Sequence, residues 1–457
     1  MRGTPGGVLD EESFGFQLAA PEGDLLARAR AAADRLVGPY AVVRRCRPYP
    51  PVPGLPSTPI FVARGPLRDF GGRHAGFDVI GMGVSDDAAD ARLKAIIETV
   101  ERYCFAWPHD PSLVERHSYE EVAGHAVAPE HFRPFTEAQY RARPSLRFPG
   151  PSDPVDWAWA YSLTRQRFAL IPAPCAFSTV GLRPPNNFLA STSSTGVACH
   201  VSVEAALLAG LLEVVERDAI MLYWLNRRRP RRIALEGPGA AEVVQLLDDH
   251  FRVCDFEFVL LDITADSGIP TVCCLARSAD PGRPRAAFGA ACRPDPAAAA
   301  QKALFESAQV LSGLHGLGFD ARSSLALSDV RNIWDHARYY AVASNSAPLD
   351  AFAGSGEEID IGDIQGFASG VVADDLGACV ERLAAVGLEV LCVELTPPDV
   401  ARSGLRTMKV IVPGMVDING DARLPHLGPE RIHRVPGAMG WPALADDGHD
   451  LAPCPLS

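Results

Sequence analysis

SSTGVACHVSVEAALLAGLLEVVERDAIMLYW, residues 193–224, is the stretch whose reading decides the fold. Ser202 is placed to cap a helix over residues 203–224, and Glu204 falls in its first turn, where a negative charge suits the helix dipole. Leu207, Leu208, Leu211, Leu212, Val215 and Ile220 leave the helix apolar on nearly every side, so it is expected inside the molecule. Yet it also carries Glu213, Glu216, Arg217 and Asp218. An unpaired buried carboxylate is costly and Arg217 alone cannot balance three acids, so a bound metal would help. Glutamates three apart are common on solvated helices as salt-bridge faces; the apolar run around Glu213 and Glu216 favours a functional site instead.

Two other stretches repeat the pattern. Asp86 or Asp87 can cap a helix reaching Tyr103 that carries Glu98, Glu101 and Arg102, a pair that taken alone reads as a solvated salt-bridge face. Asp295 followed by Pro296, a cap and then a first-turn proline, opens a third helix containing Glu306 and Gln309. Oxygen-only donors suit Mg2+, a hard cation that retains waters and bridges to phosphates, so Mg2+ with ATP is the cofactor pair inferred. There is no Walker A motif, and Gly313, Gly316 and Gly318 are too irregular to form a dinucleotide loop. Ser193, Ser194, Thr195 and Gly196 either offer hydroxyl and N–H groups to phosphate or make an ordinary turn.

Composition sets the outer bounds. The chain has 457 residues, 47% hydrophobic and 22% charged, enough for a sizeable core. A formal net charge of -13 opposes nonspecific binding to nucleic acid or an anionic membrane. The basic cluster of Arg227, Arg228, Arg229, Arg231 and Arg232 follows the apolar helix and is read as complementing its C-terminal dipole. No signal peptide or membrane-spanning run is visible, so a cytoplasmic protein is expected. The 11 cysteines include no Cys-x-x-Cys pair, and several lie in apolar runs, so neither a zinc site nor a disulfide framework is expected.

Along the chain, residues 24–36 read as an amphipathic helix, and residues 47–59 as a proline-rich connection, so that residues 1–60 form an arm. Residues 256–262, 271–277, 389–395 and 408–412 read as strands covered on both faces, and residues 374–386 as a helix leading into the last two. The fold class is therefore α/β (α+β), with a catalytic domain over residues 61–424. Residues 425–457, rich in Pro and Gly, read as an extended tail with little regular structure that completes the same domain.

Residues 193–224 resemble the central motif of the YcaO family. GMGVSDDAADARLKAIIETVERYC (residues 81–104) resembles its first motif, KALFESAQ (residues 302–309) its third, and VELTPPDVARSGLRTMKVIVPGM (residues 393–415) its C-terminal strand segment. The resemblance implies buried acidic helices packed on mixed sheets, and an ATP- and Mg2+-dependent enzyme that activates a peptide backbone amide. Its most frequent outcome is cyclisation of Cys, Ser or Thr of a ribosomal precursor peptide to an azoline. It makes Glu98, Glu101, Glu213 and Glu216 Mg2+ ligands, and lines the nucleotide site with Arg102, Arg217, Glu306 and Gln309. Developing charge on a transferring phosphoryl group is where such residues act.

Two positions depart from the family pattern: Lys94 stands where Ser is usual, and Ala205 where Glu is usual, with Glu204 beside it. Lys94 is a candidate phosphate contact in its own right, whereas Glu204 points about 100° away around the helix. The ending APCPLS, residues 452–457, resembles the proline-rich C-terminus that cyclodehydratases bring near the active site, which adds Pro453 and Pro455 to Arg217 as catalytic candidates. A separate leader-peptide-binding or E1-like protein is the expected partner alongside the precursor peptide, with a homodimer as a further option. The competing outcomes are a thioamide- or amidine-forming enzyme and a catalytically degenerate scaffold that binds a peptide or partner. A two-carboxylate glycosidase fits less well, since its acids would face each other across a cleft.

Overall fold

The structure, a computed structural model, describes residues 22–66, 78–106, 111–143, 146–178, 193–320, 325–354, 356–441 and 452–455. Three helices carry the acidic patterns, each started by the cap its sequence offers. Ala88–Ala106 follows Asp87, whose carboxylate accepts the N–H of Asp90 at 2.9 Å. Val203–Leu225 follows Ser202, which accepts from Ala205 N–H, and Pro296–Gly316 follows Asp295, which accepts from Ala297 N–H. Each satisfies a donor that the first helical turn leaves free.

Each helix lies on its own sheet. The first covers an antiparallel sheet of Arg45–Pro48, Ile60–Pro66 and Asp78–Val84. The second covers Val197–His200 and Arg406–Ile411 in a six-stranded antiparallel sheet that also holds Leu391–Glu394, Val155–Ser162, Val114–His117 and Arg167–Pro172. The third covers Ala286–Cys292 and Thr271–Arg277, which pair onward with Glu257–Asp262, Arg231–Ala234 and Glu358–Asp360, the last pair running parallel. This is the mixed α/β arrangement expected, with helices packed on sheets.

The close seating of helix on sheet depends on missing side chains. A Cβ on Gly83 would stand 2.1 Å from the carbonyl oxygen of Ala91, and one on Gly289 2.5 Å from that of Ala303. Under the second helix, Gly210 meets Gly196, itself at φ +82, where a Cβ would approach Gly196 O to 2.5 Å. Glycine is the residue that permits both the approach and the left-handed turn.

The tail departs from expectation: Arg431–Ala438 is a helix. Ile432 and Val435 share its buried face and join the core around the end of the second acidic helix. Its Arg431 guanidinium is buried, 2.7 Å from both Asp218 and Asp266, a tertiary contact that overrides the Pro and Gly composition. The basic cluster also behaves differently. Arg231 pairs with Asp262 and Arg232 with Glu257 inside the five-stranded sheet, while the helix end is met by the Asn226 side chain donating to Leu222 O. The strand Arg45–Pro48 pairs with residues 61–64, so the proline-rich segment contributes a sheet edge. All 11 cysteines are free thiols, and no helix among the described residues is long and apolar enough to cross a membrane.

Candidate active site

The three helices bring their acidic faces together, and Glu98, Glu101 and Glu213 are each aimed by a backbone amide. Glu98 Oε2 accepts from Met82 N–H at 2.6 Å, while its Oε1 accepts from the Arg102 guanidinium at 2.6 Å. Glu101 accepts from Cys199 N–H at 2.8 Å and Glu213 from Gly196 N–H at 2.9 Å. Gly196 thus serves twice, letting the second helix approach and fixing its first carboxylate. Glu216 is buried; Arg217 lies 3.7 Å from one of its oxygens and Lys302, from the third helix, 3.8 Å from the other. Lys302 also stands 3.4 Å from Glu306.

Electrostatics single out Glu101. Enclosure by the protein, with the charges of Glu213 and Glu98 added, holds its carboxyl well above the usual carboxylate range. Its sole described polar partner is the Cys199 amide. Burial likewise raises Glu216, against the pull of Lys302 and Arg217. Like charges gathered together, with Glu216 buried among them, call for a cation, which fits the inferred Mg2+. Among the described residues no three His, Cys, Asp or Glu side chains stand ready around one point. The donors therefore fit Mg2+ as carboxylate pairs completed by water and phosphate, its usual mode, rather than a closed protein cage.

Other sequence candidates fall around this cluster. Lys94 is exposed along its side chain, and its ammonium folds back to donate to Val84 O at 3.0 Å and Ser85 Oγ at 3.2 Å, 5.3 Å from the centre of the Phe305 ring. Desolvation lowers its pKa against the charge of Glu306. Gln309, one turn beyond Glu306, is half-buried, and Ser194 is exposed in a turn that its carbonyl closes onto Val197 N–H. The amides of Thr195 and Gly196 are already taken by Ser193 Oγ and Glu213, so that segment's backbone is spent on the turn. Glu204 is engaged by Ser202 Oγ at the start of its helix, not at the cluster.

Asp218 does not belong to the cluster: Arg431 balances it elsewhere on the helix, so only two of the three acids bear on the site. Lys302 and Lys409 were missed in the sequence. The available signals were the four-residue spacing of Lys302 from Glu306 and a lone charge, Lys409, inside an apolar strand. Buried Lys409 donates to Ser193 O at 2.8 Å and Thr195 O at 2.6 Å. The tail segment of residues 452–455 packs at the C-terminal end of the second acidic helix. Trp224 Nε1 donates to Ala452 O at 3.0 Å, Tyr340 OH to Pro453 O, and His336 Nδ1 lies 2.7 Å from Cys454 O. Pro453 and Pro455 are buried with Cys454, whose thiol burial pushes up while nearby Arg217 pulls it down.

Beside the cluster opens a cavity of about 120 Å³, lined on one side by Arg217, Val214, Ser193, Lys409 and Asp417. Arg217 faces both spaces, paired with Glu213 at 3.5 Å and lining the cavity.

Residues 82–416 match a family model described as YcaO cyclodehydratase, ATP- and Mg2+-binding. An uncharacterized protein in the tfuA 3′ region of Rhizobium leguminosarum bv. trifolii is 27% identical over 303 residues, 63% of this chain and 67% of its own. A heterocyclase in complex with substrate and cofactor superposes with TM-score 0.76 at 23% identity over 96% of this chain. The chain spans only 59% of that heterocyclase's length. YcaO from Methanopyrus kandleri bound with AMPPCP and Mg2+ superposes with TM-score 0.61 at 21% identity, covering 91% of this chain and 96% of that one. At these identities the two structures speak for the fold.

Proposed function

The chain belongs to the ATP- and Mg2+-binding YcaO family, and from that premise we propose that it transfers the γ-phosphoryl group of ATP to the oxygen of a backbone amide in a ribosomal precursor peptide. An amide oxygen is a poor leaving group; as phosphate it leaves readily, and the carbon becomes open to a nucleophile. The observation that carries this reading is that Glu98, Glu101, Glu213 and Glu216 come together with Arg217 and Lys302 where the three helices meet. In this reading the four glutamates hold Mg2+, which offsets charge on the transferring phosphoryl group. Lys94, Arg102, Ser194, Glu306 and Gln309 line the nucleotide, and Pro453 and Pro455 brace the tail beside Arg217.

For the nucleophile, sulfur delivered from outside the peptide, giving a thioamide, is the first choice. The thioamide-forming members of the family are the TfuA-associated type, and a relative of this chain is encoded beside tfuA. Ring closure by Cys, Ser or Thr is the second, favoured by the match to a family model described as a cyclodehydratase. The substrate is presented by a separate leader-peptide-binding or E1-like protein. The test combines protein, ATP, Mg2+, a sulfide source and the precursor peptide with its partner. Peptide-dependent ADP release is expected, with the product exchanging one oxygen for sulfur; loss of one water instead selects the ring-closing reading. No peptide-dependent ADP release would leave a nucleotide-binding scaffold.

A further inference from the structure

The cavity beside Arg217 holds a polar atom that the fold leaves unsatisfied. His426, which lines the cavity, is 3% exposed, and its Nδ1 lies 2.9 Å from the carbonyl oxygen of Asp417. A carbonyl only accepts, so in the neutral ring Nδ1 carries the proton and Nε2 is left as an unprotonated acceptor. Nε2 is buried and has no hydrogen-bond partner among the described residues. Buried polar atoms are nearly always partnered, so an orphan acceptor at a cavity wall marks a place for a donor that arrives with a ligand. The ring is held in orientation by Phe135, edge-on with centroids 5.4 Å apart. Burial keeps the imidazole below its ordinary pKa and hence neutral, while Asp417 pulls the other way.

Arg133 Nε and Arg217 Nε, which also line the cavity, are likewise buried without a hydrogen-bond partner, but they are donors, so His426 Nε2 is the acceptor left over. Lys409 is committed as a donor to two carbonyls. The Asp417 carboxylate accepts from Ser193 Oγ and from Ile418 N–H. Arg133 and Arg217 have no acceptor to offer, and His131 is exposed to water. The walls between them are apolar, from Phe132, Pro134, Pro174, Val412 and Met415. Such a space suits an uncharged peptide segment laid against Arg217.

Resting on the amide-activation reading above, we propose that this cavity receives the peptide around the activated amide and that His426 is a catalytic residue whose Nε2 takes the proton of the attacking group. In the thioamide reaction the co-reactant is a hydrosulfide donor. The S–C bond forms, the amide oxygen takes the γ-phosphoryl group with release of ADP, and the C–O bond breaks as phosphate departs with that oxygen. The S–H proton passes to Nε2 as the C=S bond forms. In ring closure Nε2 takes the side-chain thiol or hydroxyl proton as the S–C or O–C bond forms, and the amide N–H proton leaves with phosphate.

The experiment is the pH dependence of peptide turnover in the full chain with its partner, comparing wild type, His426→Gln and His131→Gln, with ATP affinity and a thermal melt as checks on folding. Only the neutral ring accepts a proton, so the wild-type rate should climb with pH along an acidic limb. His426→Gln should cut kcat by about 100-fold or more, the usual size of a general-base contribution, and abolish that limb with ATP affinity unchanged. A limb that persists in His426→Gln, or one that vanishes in His131→Gln, overturns the assignment. If His426→Gln does not fold, the wild-type and His131→Gln profiles decide: a limb in both supports the base, and a flat wild-type profile rejects it. A wild type without peptide-dependent ADP release fails at the earlier step, and the base falls with the amide-activation reading.

Discussion

Glu101 stands among like charges with a single amide for company, and that is an expensive arrangement for a fold to keep without a ligand. In Glu101→Gln the side-chain carbonyl can still accept from Cys199 N–H, while the repulsion with Glu98 and Glu213 is gone. The metal-free variant is therefore expected to melt at the wild-type temperature or above it, and to bind Mg2+ with ATP at least about tenfold more weakly. Calorimetry and a melt on the same sample check both halves; a clear drop in melting temperature would make Glu101 a structural residue. The glutamates of this cluster could be read from the sequence because two of them interrupt an apolar helix. Lys302 could not be assigned to Glu216, since the contact joins two helices whose relative placement no local signal encodes.

At the scale of the element, the site is as precise as the seating of each helix on its sheet. Gly83→Ala would drive a methyl group into the Ala91 carbonyl of the helix that carries Glu98 and Glu101. Overpacking of this kind costs about 1–3 kcal/mol or more, so the variant should unfold at lower urea and bind ATP more weakly as its helix shifts. Gly377, inside the helix Val372–Ala385, has nothing within 4 Å of where a Cβ would go. Gly377→Ala should stabilise by about 1 kcal/mol, the helix preference of alanine over glycine, and leave binding untouched. Opposite signs from one chemical change would separate close approach from propensity. Both glycines are visible in the sequence; which of them faces a carbonyl is not, because that depends on the distance between two surfaces.

For the molecule as a whole, the C-terminal region is bound to the core by charge as well as by apolar contact. Arg431 holds Asp218 and Asp266 together under the second acidic helix, at a position about 200° around that helix from Glu216. Arg431→Met should cost about 3–5 kcal/mol, because two buried carboxylates lose their cation, and denaturant titration will measure it. Binding of ATP by the folded fraction should survive, since the lost pair is remote from the cluster. The sequence by itself determined the three capped acidic helices, the strands and the family resemblance, because caps, periodicity and motif spacing are local properties of the chain. Only the tertiary structure decided that Asp218 is spoken for, that Lys302 and Lys409 enter the site, that the tail forms a helix, and that His426 lines the cavity with an unpaired nitrogen. Each of these is a contact between segments far apart in the chain, and its energy comes from burial and charge pairing that exist only once the sheets and helices have packed.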